Sequence, residues 1–79
     1  MNLKVGQVWA VMSHDASLTD IEWKFEIIHK AVYRNQVIWI AKKLHIKPDA
    51  LQVRFFNRFG DEIDDQNFGL EFYLSWRVK

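Results

Sequence analysis

Residues 37–51, VIWIAKKLHIKPDAL, admit two readings, and the choice between them decides the fold. As the centre of a helix-turn-helix, Ala41, Leu44, Ile46 and Leu51 have the right spacing, and Pro48 suits the first position of a second helix. Three features oppose this. The turn position that favours glycine for its left-handed backbone holds His45, and the residues after Leu51 alternate as a strand where a recognition helix would continue. A first helix would also have to contain Val37-Ile38-Trp39-Ile40, whose β-branched and aromatic side chains favour a strand. The stretch is therefore expected to be a strand followed by a loop, with a short helical turn around Pro48 to Leu51. Because the run is apolar on both faces, the strand is expected to be buried on both sides.

The flanking sequence supports a β fold. Residues 68–78, FGLEFYLSWRV, alternate throughout, which predicts a strand with Phe68, Leu70, Phe72, Leu74, Trp76 and Val78 facing the core. Ile21-Glu22-Trp23-Lys24-Phe25-Glu26-Ile27 alternates as strictly, with Ile21, Trp23, Phe25 and Ile27 on one side. Leu51-Gln52-Val53-Arg54-Phe55 repeats the pattern before Gly60-Asp61, a pair that can supply the positive φ of a tight turn. Lys4 to Met12 is apolar and valine-rich, with Gly6 as a bend or bulge. Between Ile28 and Ala41, two apolar flanks surround Arg34-Asn35, where asparagine tolerates the left-handed backbone of a hairpin. The expected architecture is mainly β: one domain over residues 1–79, a five-stranded antiparallel meander closing into a small SH3-like or OB-like barrel, since closure removes exposed edges. The buried set is expected to include Trp23, Phe25, Ile27, Leu70, Phe72, Leu74 and Trp76.

A 79-residue chain buries only roughly 60 to 65% of the surface that its unfolded form exposes. Cysteine is absent, which excludes disulfides and thiolate metal sites, so packing must supply the stability. With 49% hydrophobic residues, including four Trp and six Phe, there is enough large side-chain area for a small core. No apolar run of membrane-spanning length occurs, and MNLKVGQVW (residues 1–9) lacks a charged segment followed by an apolar one, so neither a span nor a signal peptide is expected. The expected location is cytoplasmic.

Net charge is +1, but its distribution is uneven. From Lys30 to Arg58 seven bases (Lys30, Arg34, Lys42, Lys43, Lys47, Arg54 and Arg58) stand against one acid, Asp49, while Gly60 to Glu71 holds Asp61, Glu62, Asp64, Asp65 and Glu71 and no base. This segregation either builds a positive and a negative face or is cancelled where strands bring the two segments together.

Signals of catalysis are sparse. His14, His29 and His45 with Asp15, Asp20 and Asp49 show no spacing that fixes a metal geometry, and His29, in phase with Trp23, Phe25 and Ile27, reads as a core or rim histidine. Ser13 and Ser17 near His14 lie in no nucleophile-elbow motif. GDEIDD (residues 60–65) could hold Ca²⁺ weakly or imitate phosphates, but reads more readily as a solvated turn. Gly6, Gly60 and Gly69 are too far apart to form a phosphate loop. No enzyme activity, cofactor or small-molecule substrate is expected.

KVGQVW (residues 4–9), followed by FEII (25–28) and an Asn35-centred turn before VIWI (37–40), resembles the small SH3-like β-barrel proteins of bacteriophages and prophages. The resemblance covers about the first forty residues; it implies an SH3-like barrel and, if the chain is phage-encoded, a location in the host cytoplasm, and it carries over no functional residue. Two function classes follow from the residues. One is a protein-interaction module that binds a host protein or its own copy through Tyr33, Phe56 and a charged face; Phe56, out of phase with Val53 and Phe55, should point away from them. The other is a nucleic-acid-binding barrel in which Arg34, Lys42, Lys43, Lys47, Arg54 and Arg58 track phosphates beside stacking aromatics. A net charge near zero favours the first.

Overall fold

A computed structural model of the chain describes residues 1–14, 23–45, 51–64 and 69–79, and for 69–71 the backbone alone. Six strands follow one another: β1 (Val8–Ser13), β2 (Trp23–Tyr33), β3 (Gln36–Lys43), β4 (Val53–Phe56), β5 (Asp61–Ile63) and β6 (Gly69–Arg77). Each pairs antiparallel with its neighbour in sequence, and β1 pairs with β6 to close the barrel. The described residues contain no helix, and VIWIAKK lies in β3. His45 does have a left-handed backbone (φ 61°), but it sits in a bend that ends a strand. The short turn expected at Pro48 to Leu51 falls outside the described residues apart from Leu51, which is exposed.

The structure has six strands instead of the expected five. β5 was read as part of the turn before Ile63, because three residues are too few to display a period. At the other end of the chain, residues 4–7 form a turn, so β1 begins at Val8. Gly6 adopts φ 96°, a backbone that few residues other than glycine accept. The turn is fastened by Gln7, buried and saturated: its Oε1 accepts from the Lys4 N–H and the Trp9 indole N–H, both at 3.0 Å, and its Nε2 donates to the Asn2 carbonyl. This carries Leu3 into the core beside Trp9, Val11, Phe25, Ile27, Trp39, Ala41, Phe56 and Leu74.

The Arg34-Asn35 turn has φ values of 52° and 63°, as the hairpin reading requires. Gly60 is also left-handed (φ 85°), in a loop where the Asn57 side chain accepts from the Phe59 and Asp61 N–H groups. Two bulges change the phase of the long strands. In β2 the register passes from Ile27↔Ala41 to His29↔Ile40, leaving Ile28 without a partner. His29 is therefore exposed on the outer face, which rules out the core position among the core and rim positions expected for it. In β6 it passes from Val11↔Leu74 to Ala10↔Trp76, so Ser75 is the extra residue and Trp76 turns outward. Phe25, Ile27 and Leu74 are buried as expected, Trp23 and Phe72 pack partly buried against the core, and Trp76 is 53% exposed, which corrects its assignment. Val78, beyond the bulge, is likewise exposed. Ile21, Phe68 and the Leu70 side chain lie outside the described residues.

β4 is inverted relative to expectation. Phe56 is 1% exposed and meets Phe25 edge-on at 6.0 Å, whereas Phe55 is 40% exposed and Leu51 and Val53 also face outward. The register Trp39↔Phe56 and Ala41↔Arg54 puts Phe56 and Arg54 on the inner side. Apolar residues at 53, 55 and 56 fit either phase; the phase realised is the one that fills the space between Trp39 and Phe25. Phe56→Ala should cost about 3–5 kcal/mol and Phe55→Ala less than about 1 kcal/mol in chemical denaturation. Equal costs would contradict this register.

Candidate functional site

Strand direction separates the residues that the sequence nominates for binding. Lys42, Lys43 and Arg54 lie near the barrel rim where β1 and β3 end and β2 and β4 begin. Tyr33, Arg34 and Arg58 belong to hairpin turns at the opposite rim. Phe56 lies in the core between them and offers no accessible surface, which corrects its assignment as a partner anchor. Lys47 is outside the described residues. The basic segment thus does not form one face among the described residues.

Most of these cations have near neighbours. Lys42 Nζ is 3.6 Å from Glu26, and Lys43 Nζ lies 4.3 Å over the Trp23 ring. Arg34 stacks on Tyr33 and Arg58 on Phe59; such contacts contribute about 0.5–1 kcal/mol each at exposed positions. Arg54 lies 5.9 Å over Phe72 and donates from Nη1 to Glu62 Oε2 at 3.0 Å. The Glu62 side chain is 3% exposed, and its Oε1 has no hydrogen-bond partner. Here the local cancellation of the two charged segments is realised across β4 and β5. Asp61 is similarly placed 3.6 Å from His14 Nε2, with the His14 ring stacked on Tyr73. Among the described residues no three His, Asp or Glu side chains converge where a metal could bind, and no helix is long and apolar enough to cross a membrane.

The outer face of β2, β3 and β4 is unusual for a barrel exterior, which ordinarily alternates to polar residues. A groove of about 340 Å³ is lined there by Ala31, Val32, Tyr33, Ile38, Ile40, Phe55 and Asp64. Its origin is local. The Ile28 bulge places Ala31 and Tyr33 in one row with His29; opposite them stand Ile38 and Ile40, and beyond these Phe55. Ala31 is the small residue between larger neighbours, and Tyr33 and Phe55 are the two aromatics, about two-fifths exposed each. Of these residues the sequence nominated Tyr33 alone. The signal for the rest was the run VIWI, correctly read as apolar on both faces: Ile38 and Trp39 are buried and Ile40 half-buried. A second, larger cleft of about 630 Å³ lies beside the N-terminal turn and gathers Lys4, Arg77 and Lys79 without an acid; these bases fall outside the segment that the sequence singled out.

No protein-family model, curated protein or solved structure matches the chain.

The Arg54–Glu62 pair generates a stability test. Arg54→Met strands a buried carboxylate and should cost on the order of 3 kcal/mol, while adding Glu62→Leu should restore most of the loss. Denaturant unfolding of both variants reads this out; a single substitution without cost would mean that the carboxylate is solvated.

Proposed function

We propose that this chain is a non-catalytic protein-interaction module whose partner docks on the outer groove of β2, β3 and β4. The observation that supports this is the apolar groove in which exposed Val32, Tyr33 and Phe55 surround half-buried Ala31 and Ile40, because aromatic anchors around a desolvated centre are what protein interfaces use. We read the barrel as SH3-like: consecutive strands are neighbours throughout, whereas an OB-fold has a Greek-key order. With the N-terminal resemblance, the setting we propose is a phage accessory protein acting on a host protein in the host cytoplasm, or on a second copy of itself.

A nucleic-acid reading draws its support from two clefts, one of which joins Lys30 and Arg58 to the N-terminal turn. The clefts of Lys4, Arg77 and Lys79 and of Lys4, Lys30 and Arg58 have no acidic side chain in their linings, and phosphate binding at either would weaken steeply with salt.

The two readings separate by substitution. The immobilised chain should retain a host protein after nuclease treatment, and Phe55→Ala and Tyr33→Ala should each weaken that complex by about tenfold or more with an unchanged melting temperature. Paired Lys4→Glu/Arg77→Glu should leave it intact. Capture that disappears with nuclease, or that follows the Lys4/Arg77 pair and ignores Phe55, contradicts the proposal. Sedimentation of the free chain shows whether the groove is closed by a second copy.

A further inference from the structure

We infer that the partner of this groove binds as an added strand: an extended segment of alternating acidic and apolar residues laid along the open edge of β2 from His29 to Tyr33. This rests on the docking reading above and names the partner's form and chemistry.

The barrel is closed, yet among the described residues no strand occupies one lane beside β2. β1 pairs with β2 from Trp23 to Glu26, and two further bonds extend the contact: Gly6 N–H to the Ile27 carbonyl at 2.8 Å and Ile27 N–H to the Gln7 carbonyl at 2.9 Å. At Gly6 the chain turns away and carries Leu3 under the barrel. Beyond Ile27, β2 pairs with β3 and with no other described strand. The two-residue turn makes Tyr33 and Gln36 a hydrogen-bonded pair, so in an antiparallel ladder Ala31 bonds Ile38 while the N–H and C=O groups of Lys30 and Val32 point away from β3. They point into the vacant lane, in line with the groups of Ile27 that Gly6 and Gln7 occupy. Val32 is 73% exposed. This is the arrangement that recruits an extended peptide by strand addition.

Side-chain chemistry narrows the partner. A residue opposite Ala31 in the added strand would form a non-hydrogen-bonded pair, the closer kind, on the groove side. Ala31 leaves room for a large apolar side chain there, against Tyr33 and Phe55. The next positions face the other side, where Lys30 projects over Trp39. On that side Lys30 shares a cleft with Lys4 and Arg58 and no acidic side chain, whereas the groove side has Asp64, so acidic residues of the partner are complementary on the Lys30 side and apolar ones on the groove side. A second copy of this edge would oppose two strips that both lack an acid, which is why we assign the lane to a foreign acidic segment.

The test uses the full chain and a synthetic peptide, EVEFEVT, acetylated and amidated. In the free chain the amides of Lys30 and Val32 should exchange with solvent quickly and those of Ala31 and Tyr33 slowly; the peptide should protect the first pair. N-methylation of one alternating set of peptide amides should weaken binding about tenfold, the loss of a backbone hydrogen bond, and methylation of the other set should leave it unchanged, since a strand turns only alternate amides to its neighbour. The charge-swapped KVKFKVT should bind more weakly. Val32→Pro removes an outward amide, and Ala31→Leu fills the groove without touching the backbone; both should lower affinity. No saturable binding of EVEFEVT up to about 1 mM, or equal sensitivity to both methylated sets, overturns strand addition. If Phe55→Ala still releases a captured host protein in that case, groove docking stands without it. If the two-residue periodicity holds while Phe55→Ala leaves host capture unchanged, the edge is the site and the groove reading falls. A dimer that Val32→Pro dissociates, with no peptide binding, assigns the lane to a second copy and overturns the acidic partner.

Discussion

Closure of this barrel rests on β1, a six-residue strand held between β2 and β6. Without its ladders the sheet would end in two long edges, β2 on one side and β6 on the other. The point at which the chain joins that lane is set by Gly6, whose positive φ turns the preceding residues beneath the barrel, and by Gln7, whose amide satisfies three polar groups at the turn. The same turn has two consequences. Leu3 enters the core, and the part of β2 beyond Ile27 has no described neighbour on that side.

Bulges then decide what faces water. A strand that alternates perfectly commits one whole row to the interior, and a single extra residue exchanges the rows beyond it. At Ser75 this turns Trp76 out of the barrel; at Ile28 it turns Lys30 and Val32 into the inner row and Ala31 and Tyr33 into the outer one. This part of the apolar outer surface is thus a product of register: Ala31 and Tyr33 would face the core in an unbroken β2. β4 contributes in the same way, because burying Phe56 against Phe25 leaves Phe55 outside.

Electrostatically the molecule spends its segregated charges internally. Arg54 meets Glu62 across β4 and β5, Lys42 meets Glu26 across β2 and β3, and five cations lie over aromatic rings. Each such contact contributes little alone, but together they hold the cations near the barrel wall and divide them between its two rims. Cations left near apolar surface, Lys30 over Trp39 and Arg34 over Tyr33, then act on specificity more than on affinity.

The sequence by itself determined the β class, the antiparallel order, the turns at Arg34-Asn35 and Gly60, and the strand identity of VIWIAKK, because these depend on local backbone preference and on a period of two within one segment. The double-sided burial of Ile38 and Trp39 was legible for the same reason. The count of strands, the faces of Phe55, Phe56, His29 and Trp76, and with them the groove itself were decided by the tertiary structure. A three-residue strand shows no period, adjacent phenylalanines satisfy either phase, and a bulge leaves no mark in composition. Tyr33 could be nominated from its place beside a turn, but Ala31, Ile40 and the vacant lane beside Val32 exist as a site only after the neighbouring strands have chosen their register. That choice belongs to the closed barrel, in which every strand's face is fixed by the two beside it.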